Sequence, residues 1–201
     1  MSDDSNNQNF DLLQRVWYEL YYAQQSWGIM AAIGECHQIV SKNYHSHFFG
    51  MSQLNALNDV VIRLYKVYDK DRRSASFLNL IEKLSLNGTI KKKIDEIKNE
   101  DSFKLIENFR NKRVAHYDFN IDQELAERLK NLPSYEEFRR LIKESKQICE
   151  DICNLCFHDI NSTLPIIGDC ARRLSMGTIC DLYGIDPSER DSLISAEEPW
   201  H

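Results

Sequence analysis

The sequence predicts an all-α fold, an up-and-down bundle of four to five helices. Three observations carry this. Apolar residues recur at three- and four-residue spacing along most of the 201-residue chain. No window alternates polar and apolar residues as a half-buried strand does. Turn chemistry is scarce, with 7 Gly and 4 Pro in the whole chain, too few for the many tight turns of an all-β fold.

The elements follow in order. Residues 1–9 are polar and acidic and are expected to form a disordered tail. From Phe10 to about Phe49 the pattern is helical, with Leu13, Trp17, Leu20 and Tyr21 on one stripe and Ile29, Ile33 and Val40 continuing it. Gly28 and Gly34 fall inside this helix and suggest close packing, and Gly50 is placed to end it. A second helix is expected from about Ser52 to Tyr68 through Leu54, Leu57, Val61, Leu64 and Tyr65. The charged segment DKDRRSAS (69–76) reads as a loop. FLNLIEKLSL (77–86) reads as a short helix stopped by Asn87-Gly88.

A helical stretch over about 90–117 carries Ile90, Ile94, Ile97, Phe103, Ile106 and Phe109, with a break expected near Asn99–Asp101 and Asp101 as the new N-cap. A short helix is expected within 121–130. Ser134-Tyr-Glu-Glu137, preceded by Pro133, has the form of a capping box. It should open a long helix to about residue 162 through Phe138, Leu141, Ile148, Ile152 and Leu155. An amphipathic segment at 168–183 precedes a polar end. The expected organisation is a tail (1–9), a helical bundle (10–164) and a C-terminal helical extension (165–201).

Composition narrows the functional classes. Hydrophobic residues make up 42% and charged residues 28%, as in a globular protein. The formal charge of −6 argues against a general nucleic-acid coat protein, which would be basic, but it permits a small basic cleft. The start lacks a basic segment followed by an apolar run, and no stretch approaches the roughly 18 apolar residues of a membrane span. The expectation is a cytoplasmic protein with no membrane contact, its 6 cysteines reduced thiols.

Few residues invite chemistry. Cys149, Cys153 and Cys156, with His158 nearby, suggest a metal site, but they follow the helical seam of Ile148, Ile152 and Leu155, where Cys serves as a small buried residue. No metal or other cofactor is expected. His45 and His47 do not share a helical face, and Lys91-Lys92-Lys93 reads as a solvated surface. Arg172-Arg173 invites comparison with a DNA-reading helix, without a clear two-helix pattern around it.

ENFRNKRVAHYDFN (107–120) remains: an acidic chain here gathers Arg110, Lys112 and Arg113 and closes the run with His116. Cations near a helix C-terminus complement the macrodipole, so stability alone would account for Arg113 and His116. The same residues also supply what metal-free RNA cleavage needs. Arg is a permanently charged planar fork for phosphate oxygens. Neutral His can take a proton from a 2′-hydroxyl and return it to a leaving group. On a straight helix the two would stand about 9 Å apart along the axis and about 120° apart in direction. Two protomers about a two-fold axis would bring two such pairs to one cleft, so this reading calls for a homodimer.

The run Arg110-Asn111-Lys-Arg-Val-Ala115-His116-Tyr117-Asp118 resembles the R-x(4–6)-H motif of the HEPN superfamily (higher eukaryotes and prokaryotes nucleotide-binding domains). It is most similar to the abortive-infection, AbiU-type branch. VVIRLYKVYDKDRRSASFLNLIEKL (60–84) and LPSYEEF (132–138) are similar to segments of that branch in the same order, and the resemblance spans roughly residues 10 to 160. It implies a HEPN-like all-α bundle, commonly dimeric, often a metal-independent ribonuclease used as a toxin or in antiphage defence. It implies Arg110 and His116 as the catalytic pair with Asn111 orienting one of them; on the ribonuclease reading Lys112 and Arg113 would help hold RNA, Tyr117 would support the site, and Asp118 would either orient the imidazole or only end the helix. RNA and an antitoxin or defence-system protein would be the partners. Other members of the superfamily are non-catalytic modules that bind a protein or nucleotide, and this is the alternative.

Overall fold

In the computed structural model, residues 3–42, 45–86, 88–115, 132–157 and 170–186 are described, with side chains at all of these except 3–5, 38, 112–115 and 170. The described residues form helices joined by turns and short loops, with no strand among them. The helices are α1 (Asp3–Glu35), α2 (His37–Val40), α3 (Ser46–Val67), α4 (Phe77–Leu84), α5 (Thr89–Asn99), α6 (Asp101–Ala115), α7 (Tyr135–Cys156) and α8 (Cys170–Tyr183). The protein is all-α.

Several helix boundaries differ from the sequence expectation: α3 starts at Ser46 rather than about Ser52, and α7, expected to run to about residue 162, ends at Cys156 with Phe157 as its C-cap. α1 begins at Asp3, within the stretch read as a tail. Acidic residues in a first turn suit the helix dipole, and Asn9 and Phe10 are buried and tie the segment down. The single helix expected over 10–49 is interrupted after Glu35, and Gly50 lies inside α3 rather than ending a helix. The break was hidden because Ile33, Cys36, Val40 and Phe49, on both sides of it, enter one apolar cluster, so the hydrophobic spacing runs through. Asp101 is the first residue of α6; Glu100, with φ −65° and ψ 146°, makes the break before it.

The chain divides into two compact units, Met1–Tyr21 with Val61–Pro165, and Tyr22–Val60 with Ile166–His201. In the first unit, Leu13, Val16, Trp17 and Leu20 of α1 are buried, as are Leu64, Val67 and Tyr68 of α3 and its end, and Phe138, Leu141, Ile148 and Ile152 of α7. The Tyr68 ring meets Phe77 at 5.2 Å and Phe103 at 4.8 Å, edge to face in both cases. Helix α7 starts from the expected capping box. The Ser134 N–H donates to Glu137 Oε2 at 2.7 Å, and the Glu137 N–H donates to Ser134 Oγ at 3.2 Å. Leu155, expected on the apolar face, is 61% exposed; at 3.6 residues per turn it lies at the edge of the stripe that Ser145, Cys149 and Ile152 centre.

In the second unit, Ile33, Cys36, Val40 and Phe49 pack with Ile179 of α8, flanked by Ile29 and Tyr183. Helix α8 thus contributes to the core of the second unit. Arg172 is buried, and its Nε and Nη2 donate to the two carboxylate oxygens of Glu35 at 3.1 and 2.9 Å. It is a structural residue and is not presented to a nucleic acid. The short helix expected within 121–130 lies outside the described residues.

Candidate functional site

Helix α6 carries the Arg-rich run. Phe103, Ile106 and Phe109 are buried along one stripe, while Lys104, Glu107, Asn108 and Asn111 are exposed. Arg110 follows Phe109 at the edge of the buried stripe, so its stem is half covered and its head reaches the surface. Lys112 and Arg113 are in the last turns of this helix, and their side chains are not described. His116, Tyr117 and Asp118 lie outside the described residues.

Two contacts define the Arg110 guanidinium. Its carbon lies 4.5 Å from the centroid of the Tyr65 ring on α3, within cation–π range. Its Nη1 donates a 3.0 Å hydrogen bond to Asn111 Oδ1. The motif's Arg and Asn are therefore brought together. The Tyr65 hydroxyl is pushed up from its ordinary range, first by burial and then by the Asp69 carboxylate, with Arg110 pulling the other way and Glu107 adding to the rise. It is a neutral phenol at neutral pH.

Other arginines of the same chain are spent differently. Arg140 Nη1 and Nη2 bond to Glu100 at 3.1 and 2.5 Å, and Nη1 also reaches Glu144 at 3.1 Å. Arg73 closes on Asp71 within its own loop, holding that carboxyl down at about 2. Among the described residues no carboxylate forms an ion pair with Arg110.

Tyr65 is not singled out by the sequence. It continues the apolar stripe of its helix beside Leu64, and no local pattern links it to Arg110. Around it the structure is firmly built. The loop after α3 is pinned by Asn79, whose Nδ2 donates to the carbonyls of Asp71 and Ser74 at 3.0 and 2.5 Å. Ser76 caps α4, accepting from the Asn79 N–H at 3.4 Å.

The cysteines behave as packing residues. Cys149 is fully buried, and burial pushes its thiol well up; Cys153 and Cys156 are half-buried, and their thiols are also raised by burial. Among the described residues no three His, Cys, Asp or Glu side chains gather as metal ligands do, and His158 is outside them. No described helix is long and apolar enough to cross a membrane.

Comparison with known proteins gives one family. The family model for AbiU2, a HEPN-type domain, matches residues 11–173. No curated protein and no solved structure matches the chain.

Proposed function

The chain belongs to the AbiU2 family of HEPN abortive-infection domains, and from that premise we propose that it is a metal-independent endoribonuclease acting as a toxin or antiphage effector. The observation that carries this reading is the state of Arg110: held against Tyr65, bonded to Asn111, and in no ion pair with a described carboxylate. Arginines that serve only the fold, such as Arg140 and Arg172, end on carboxylates.

In this reading His116 takes the proton of a ribose 2′-hydroxyl. The 2′-oxygen attacks the adjacent phosphorus, and the bond to the 5′-oxygen breaks. The imidazolium returns the proton to that leaving oxygen. The products are a 2′,3′-cyclic phosphate and a 5′-hydroxyl, and nothing is oxidised or reduced. Arg110 stabilises the charge that builds on the non-bridging oxygens. Asn111 orients Arg110, Lys112 and Arg113 hold the RNA, and Asp118 and Tyr117 support the imidazole. A homodimer brings two such sets to one cleft. An antitoxin or defence-system protein would restrain the enzyme in the cytoplasm.

The test uses purified protein and its His116→Ala variant with end-labelled RNA in EDTA. Cleavage by the wild type alone, leaving 2′,3′-cyclic phosphate ends, is the expected result. If neither folded, dimeric protein cuts RNA, the chain is better described as a non-catalytic binding module.

A further inference from the structure

We propose that Tyr65 is the positioning residue of a phosphodiester-binding site, holding the Arg110 guanidinium flat so that its Nε–Nη2 edge is presented to two phosphate oxygens. The proposal rests on the reading of Arg110 as the phosphate contact and adds the group that makes it one.

The two contacts of Arg110 constrain different things. The ring, 4.5 Å from the guanidinium carbon, holds the cation over its face. The 3.0 Å bond from Nη1 to Asn111 takes up one in-plane donor and ties that corner of the group down. A guanidinium carries five N–H donors, and its Nε–Nη2 edge offers two parallel ones that match two oxygens of a phosphate. Among the described residues nothing accepts from that edge. In Arg172 the same edge is filled by Glu35, at 3.1 and 2.9 Å. The fold thus contains the same fork once closed on a carboxylate and once left for a ligand.

An aromatic ring suits this position better than an aliphatic one. The ring face attracts the cation without taking up any of its in-plane donors. The phenol is protonated at neutral pH, and burial with the neighbouring Asp69 and Glu107 carboxylates pushes it further up, so the platform adds no negative charge of its own beside an anion.

The experiment separates binding from cleavage. A 2′-O-methyl oligoribonucleotide keeps the phosphodiesters but lacks the attacking hydroxyl. It is titrated into 15N-labelled full-length protein while the Arg110 Nε–Hε resonance, identified by its loss in Arg110→Lys, is followed. In the wild type and in Tyr65→Phe the resonance should move saturably with similar dissociation constants. In Tyr65→Leu, or in Tyr65→Met should the first variant not fold, the constant should rise roughly three- to tenfold, the scale of a lost cation–π contact. Unchanged binding in a folded variant without the ring overturns the proposal, and so does a wild-type resonance that the oligonucleotide does not move. A protein that binds in this way yet cuts no RNA would sink the ribonuclease reading and leave the site standing.

Discussion

The Tyr68 hydroxyl and Ser145 Oγ lie 2.7 Å apart in the interior of the first unit, joining the end of α3 to α7. Ser145 commits its own hydrogen to the Leu141 carbonyl at 2.6 Å, so Tyr68 is the donor. The two partners are therefore unequal. Ser145→Ala strands a buried donor and should cost about 1–3 kcal/mol; Tyr68→Phe removes the donor along with its need and should cost about 1 kcal/mol. Urea unfolding of both single variants and the double variant checks this. The double variant should lose less than the two singles added together, because one hydrogen bond is counted twice.

Arg140 should make stability depend on pH in acid. Its hydrogen bonds, ahead of its charge, hold the Glu100 carboxyl below its ordinary range. A carboxyl with a lowered folded-state pKa contributes stability that is fully present above its unfolded value and is lost as pH falls through the folded one. The window therefore opens near the ordinary glutamate value, about 4.3, and extends downward. Both groups are a third or more exposed, so solvent screening limits the effect to about 1 kcal/mol or less. Urea midpoints at neutral pH and near pH 3 should differ by less in Arg140→Gln than in the wild type. An equal difference in the two proteins would mean the pair does not couple to folding.

The Glu35–Arg172 pair should respond unequally to losing either partner. The Arg172 side chain is 6% exposed and that of Glu35 is 34% exposed. Removing the carboxylate takes a two-pronged acceptor from a buried guanidinium, while removing the guanidinium leaves a carboxylate that water can reach. Glu35→Ala should therefore cost about 2–4 kcal/mol, and Arg172→Met, which keeps the stem's packing, clearly less. Thermal unfolding of the two variants would show this order; the reverse order would mean that the carboxylate, not the guanidinium, is the sequestered charge.

What the sequence revealed and what it hid divide along a physical line. Signals confined to one turn of chain were legible. The Ser134–Glu137 box needs only residues three apart, and the break at Glu100 sits between two clean apolar stripes. Signals that depend on which segments meet were not. The interruption after Glu35 is invisible because Cys36 and Val40 keep facing the cluster that Ile33 and Phe49 also enter. Arg172 reads as a surface cation until Glu35, far away in sequence, is placed beside it. Tyr65 is the same case at the candidate site: on its own helix it is one more apolar position, and only the fold sets it under Arg110. Within the motif, the adjacency of Arg110 and Asn111 was readable, since neighbours on a helix need no tertiary structure to interact.

Arg110→Lys should be the most informative substitution at the candidate site. Lysine keeps the positive charge and the aliphatic stem, so folding and any general electrostatic attraction for RNA should be little changed. It loses the planar fork, the guanidinium carbon that lies over the Tyr65 ring and the corner that bonds Asn111. If the planar fork stabilises the phosphorane-like transition state, turnover should fall about 10²- to 10³-fold, the scale of losing one preorganised donor group. RNA binding should weaken far less, and Arg110→Ala should weaken it further by removing the charge. The pH dependence of the residual activity should keep the wild-type shape, because arginine and lysine are both fully charged where histidine titrates. Single-turnover cleavage across pH 5–9, with binding measured on 2′-O-methyl RNA, separates these effects. Full turnover in Arg110→Lys would reduce Arg110 to a plain positive charge and would remove the geometric case for Tyr65 and Asn111 as its supports.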